Sequence, residues 1–84
     1  HRQEEKNMLY EKLKSLLSEW ELYTSKEAET PPRIIKLKKW SIAKSTEIVI
    51  NEMRNKNELS NITEEEKEKI DIIFNYLNIM ASTK

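Results

Sequence analysis

The chain has 84 residues, no glycine, no cysteine and a single histidine, and its Lys/Arg and Asp/Glu balance to a formal net charge of zero. That length makes one domain with a modest core and marginal stability. Without glycine the phosphate-cradling loops of nucleotide-binding proteins are excluded and β-hairpins lose weight; without cysteine, disulfides and Cys-based zinc sites are excluded.

The only histidine is the terminal His1, so no metal or other cofactor is expected. No apolar run reaches membrane-spanning length and no signal peptide is visible. These features fit an intracellular protein, nuclear or cytoplasmic. A start at His1 rather than Met points to a fragment of a larger protein.

The zero net charge hides segregation. From Pro31 to Lys56 there are seven Lys/Arg against Glu47 and Glu52, a balance of +5, while residues 1–30 carry −2 and residues 57–84 carry −3.

The first periodic stretch runs over residues 3–23. Leu9, Leu13, Leu16, Leu17, Trp20 and Tyr23 recur at three- and four-residue spacing and form one apolar face. Glu4, Glu5, Lys6, Glu11, Lys12, Lys14 and Glu19 fill the other side. The pattern decays over residues 24–29, which reads as a linker.

The second helix is expected over residues 31–55. Thr30 is placed to cap it, with Pro31 and Pro32 in the first turn, where an N–H is not needed. Ile35, Ile42, Val49 and Met53 align along it; Ile34, Leu37 and Ile48 flank that line on one side, Ala43 and Ile50 on the other. Ser41, Ser45 and Thr46 are small enough to let another helix approach. A break near Trp40–Ser45 is the alternative, because Lys38 and Lys39 interrupt the apolar face.

Residues 55–62 read as a polar connection. Thr63-Glu64-Glu65-Glu66 is a capping box whose acids also suit the helix dipole. The third helix then runs over 63–81, with Ile70, Ile73, Phe74, Leu77 and Met80 as its main stripe. The fold class expected is all-α, a single-domain three-helix bundle with antiparallel neighbouring helices.

Two surfaces compete for function. On a continuous second helix, Arg33, Lys36, Trp40 and Lys44 project opposite Ile42. Cations around an indole suit an acidic peptide, a phosphopeptide or single-stranded nucleic acid. The plain structural reading is that acidic neighbours neutralise the basic helix and Trp40 caps the end of the core. The second surface is Ile72, Tyr76 and Ile79, off the main stripe of helix three. Either helix three contacts both neighbours there, or the patch binds a partner or a second copy.

Thr30-Pro31 fits a proline-directed phosphorylation site beside a helix N-terminus. Asn61-Ile62-Thr63 matches a glycosylation sequon, read here as chance. Catalysis has no support: Glu64, Glu65, Glu66, Glu68 and Asp71 lie on one helix, with no base to activate a nucleophile.

Ile42-Ala43-Lys44 followed by Val49-Ile50-Asn51-Glu52-Met53-Arg54 loosely resembles a pattern in the small helical modules of transcription elongation factors, without that pattern's glycine. Such modules bind short motifs in disordered partners. The function expected is non-enzymatic: docking a helix or linear motif of a partner protein, or tethering subunits of a complex. A nucleic-acid-binding domain is the alternative, disfavoured by zero net charge. A homodimeric assembly domain is the third. No membrane partner is expected.

Overall fold

The protein, described by a computed structural model over residues 2–82 with side chains over 8–82, is built from three α-helices: α1 (Arg2–Ser25), α2 (Pro32–Asn55) and α3 (Glu64–Ser82). Single 3-10 turns at Glu27–Glu29 and Leu59–Asn61 join them, and no strand occurs among the described residues. Side chains of the expected polar face at Glu4, Glu5 and Lys6 lie outside the described residues, as does His1.

Neighbours along the chain are antiparallel, so α1 and α3 run parallel. Tyr10 therefore meets Glu66 near the start of both, and Trp20 meets Tyr76 further along both. The bundle is the expected one.

α1 buries Leu9, Leu13, Leu17 and Trp20, a stripe at four- and three-residue spacing. α2 is the central helix. Ile35, Ile42, Ala43, Thr46, Val49, Ile50 and Met53 are buried along it. It runs unbroken through Trp40–Ser45, so the alternative of a break there is excluded. Lys38 and Lys39 both lie within it, Lys38 exposed and Lys39 largely covered, with its ammonium over the Trp20 ring. α3 contributes Ile70, Ile73 and Leu77, with Phe74 and Tyr76 packed half-buried against the same core.

Each helix end has a local cause. The start of α2 differs from expectation: Pro31, not Thr30, occupies the N-cap position, with no side-chain cap bond. The Thr30 hydroxyl instead donates to the Lys26 carbonyl at 2.9 Å, closing the turn behind it. The ring of Pro32 draws Pro31 toward extended backbone, at ψ 138°, and the helix starts after it.

The end of α2 is a Schellman closure. Glu58 N–H donates to the Met53 carbonyl at 2.8 Å and Asn57 N–H to Arg54 at 3.1 Å. This requires a left-handed residue, and Asn57 supplies it at φ 58° in a chain without glycine. The connection that follows is less polar in practice than in sequence. Ile62 enters the core, Glu58 is buried and Leu59 is packed against the core.

α3 opens as its capping box dictates. Thr63 N–H donates to Glu66 Oε1 at 3.0 Å, and Glu66 N–H donates to the Thr63 hydroxyl at 3.2 Å. The same carboxylate accepts from the Tyr10 hydroxyl at 2.9 and 3.0 Å, which ties the cap to α1. Burial pushes the Glu66 carboxyl up, but the bonds from Thr63 and Tyr10, with Lys14 nearby, outweigh it and hold it below its ordinary value. The same bond to Glu66 is the largest cause raising the Tyr10 hydroxyl.

Candidate functional site

The outer face of α2 carries the first candidate surface. Trp40 remains 38% exposed. The Lys44 ammonium sits 5.7 Å from its ring centroid and also pairs with Glu47 at 3.2 Å. Arg33 and Lys36 are exposed on the preceding turns, and among the described residues neither forms an ion pair. Helical spacing thus places Arg33, Lys36, Trp40 and Lys44 along one surface. Among the described residues, Lys44 alone of these three cations has part of its charge met.

Internal neutralisation holds for Lys39. Its side chain is 11% exposed, 3.7 Å from Glu27, and its ammonium lies 4.8 Å from the Trp20 ring centroid. Lys38 is exposed and forms no ion pair among the described residues. The two lysines, expected to behave alike, differ because only Lys39 turns toward the end of α1.

The second candidate surface is divided. Tyr76 turns inward and packs edge-on against Trp20, ring centroids 5.2 Å apart at 77°. Its hydroxyl reaches the Lys36 carbonyl at 3.4 Å, and burial, then Glu27, raises that hydroxyl above its ordinary value. Ile72 and Ile79 stay exposed. Ile72 borders a shallow cleft with Trp20, Thr24 and the Glu21–Lys69 ion pair, closed at 3.0 Å. The hydrogen bond it donates to the Glu21 carboxylate raises the Lys69 ammonium above its ordinary value. Tyr76 is thus part of the packing that positions α3, and the exposed pair flanks it.

Thr30 stands just before α2, with its hydroxyl already engaged by the Lys26 carbonyl. Among the described residues no group of acids or His is arranged to hold a metal ion, and no helix is long and apolar enough to cross a membrane.

A third surface was not singled out from the sequence. α1 and α2 enclose a groove of about 550 Å³ whose lining comes from those two helices alone. Leu16 and Val49 line it, Met8 and Ile48 stand on it largely exposed, and Ser15 and Ser45 leave it open at its middle. Part of its signal was present: Ile48, one of the residues flanking the core line of α2, remains exposed and lines it.

No protein family, curated protein or solved structure was found to match this chain.

Proposed function

We propose that this chain is a non-enzymatic protein-interaction module that seats a helix or short linear motif of a partner on the outer face of α2. The observation that supports the reading is Trp40: a large aromatic side chain held at the surface, with Lys44 over its ring, and with Lys36 and Arg33 one and two turns back on the same face, neither in an ion pair among the described residues. An indole flanked by cations favours a motif that offers an apolar or aromatic anchor next to carboxylates or a phosphate. Anchors of this type carry a large share of binding energy when a partner removes them from water. The exposed Leu37 beside Trp40 extends the apolar strip by a turn.

A pull-down with the intact chain, beside Trp40→Ala/Lys44→Glu, tests the reading. Partners should be retained at about 0.05 M salt, lost at about 0.5 M and absent with the double variant, since exposed charge pairs are screened over that range. A partner held equally by both chains, or a complex indifferent to salt, removes the outer face of α2 from consideration. A salt-dependent shift with single-stranded oligonucleotides would replace the reading with the nucleic-acid one, which shares the same chemistry.

A further inference from the structure

We propose that the groove between α1 and α2 is a second docking site, and that its occupant is a basic amphipathic helix of a partner protein. The walls of the groove fit a helix. Both are α-helices whose main-chain groups are already paired, so an extended peptide finds no ladder to join. A helix arrives with its own backbone bonds made and needs only a trough for one row of side chains. Ser15 and Ser45 are short enough to keep that trough open, and Leu16 and Val49 give it apolar lining. Met8 and Ile48, 55% and 58% exposed, offer further apolar contact on it. The α1 lining runs from Met8 to Glu19, about 16 Å of helix, which seats about three turns of an occupant.

Charge selects which helix. The charged lining is Glu11, Glu19 and Glu52 against Lys12, three anions to one cation. Glu11 is shared with Lys14, at 3.8 Å. Glu19 and Glu52 are exposed, and among the described residues neither forms an ion pair. Apolar side chains bordered by carboxylates complement a helix whose apolar stripe is flanked by Lys or Arg. The chain as a whole carries no net charge, so the attraction comes from this face and not from the field of the molecule.

A second copy of the chain, related by a two-fold axis, would bring the same acidic lining against itself, and like charges oppose that pairing. None of Arg33, Lys36, Trp40 and Lys44 lines the groove. The groove also selects the opposite charge from the outer face of α2. This inference therefore stands apart from the partner surface proposed above.

Fluorescence anisotropy of the full chain with labelled synthetic peptides tests it. The probe is a helix of about 14 residues, with Leu at three- and four-residue spacing and Lys on both flanks of that stripe. It should bind with a dissociation constant between about 1 µM and about 1 mM. The same peptide with Glu for Lys, or with Ser for Leu, should bind at least about tenfold more weakly. Glu19→Lys/Glu52→Lys, at exposed sites, should reverse the preference toward the Glu peptide with an unchanged helical circular dichroism signal. Glu68→Lys/Asp71→Lys makes the same charge change on exposed sites of α3 and should leave the preference as it was. Ser15→Arg should weaken the Lys peptide at least about tenfold by filling the trough. No binding of the Lys peptide up to about 1 mM overturns the proposal. So does equal affinity for the Lys and Glu peptides, or a preference moved as far by the α3 pair as by the groove pair. Sedimentation of the chain alone at twice 10.1 kDa, returned to 10.1 kDa by Ser15→Arg, would overturn the occupant and put a second copy in its place.

Discussion

Asn57 is a small residue with a large local duty. It holds the left-handed position that ends α2, and it does so with a side chain that tolerates that conformation better than most. Asn57→Ala should lower stability by about 1–2 kcal/mol, the cost of a left-handed residue with an ordinary Cβ, whereas Asn57→Gly should not destabilise. Urea titration checks both, and an Asn57→Ala chain as stable as the parent would mean the closure contributes nothing. Thr46 presents the opposite case. It is fully buried and polar, yet its hydroxyl donates to the Ile42 carbonyl of its own helix at 2.8 Å. That carbonyl keeps its main-chain partner if the hydroxyl is removed. Thr46→Val should therefore fall within about 1 kcal/mol of the parent or exceed it, because no buried group is left unsatisfied.

α3 is held to α1 by contacts at both ends of their overlap. Tyr10 reaches the Glu66 carboxylate near one end, and Tyr76 packs on Trp20 near the other, with Lys39 of α2 over the same indole. Tyr76→Ala should cost about 3 kcal/mol, the lower end for truncating a large aromatic, since Tyr76 is only partly buried. That is a large share of the 5–15 kcal/mol typical of a whole domain. Tyr76→Phe should cost well under 1 kcal/mol, because the hydroxyl contact it removes is long. A melting series of the two variants separates ring packing from the hydroxyl. If Tyr76→Ala melts with the parent, the ring is not part of the core. Changes at Tyr76 therefore report on folding before they report on binding, and the exposed Ile72 is the better probe of that flank of α3.

Across the molecule, one tertiary hydrogen bond shapes both limbs of the pH dependence. Glu66 sits below its ordinary value, so its contribution is present above the unfolded carboxylate range and is lost as pH falls through the folded value. Tyr10 is raised, so its contribution is present below the unfolded phenol range and is lost as pH rises through the folded value. Burial of Tyr76 adds to the alkaline limb. Melting temperature from pH 3 to 11 should trace a dome, and Tyr10→Phe should flatten it at both ends. A Tyr10→Phe chain that loses stability equally at every pH would show that the bond does not govern the titration. Glu11 and Lys14 also face this pair and set the background slope. At this scale the sequence was a good guide where a local pattern was also the tertiary one. Leu9, Leu13 and Trp20 shared one face, and Thr63 and Glu66 formed a box regardless of what packed nearby. It misled where the outcome depended on neighbours. Thr30 looked like a cap, but Pro32 holds Pro31 in extended backbone and moves the helix start past it. Ile62 looked like part of a polar loop because its flanks are polar. Tyr76 lies off the stripe of α3, and only the parallel placement of α1 brings Trp20 to meet it. The α1–α2 groove was hidden for the same reason: Ser15 and Leu16 of α1 come to line one cleft with Ile48 and Val49 of α2 only once the two helices pack.

The two indoles of the chain occupy opposite environments, Trp20 8% exposed and Trp40 38% exposed. This makes the molecule its own two-site optical reporter. Each ring has a lysine ammonium over it, so exposure alone separates them: iodide should quench Trp40 strongly and leave Trp20 bright. Emission from a Trp40→Phe chain then follows the interior between α1 and α3 alone, while a Trp20→Phe chain, if it folds, follows only what arrives at the outer face of α2.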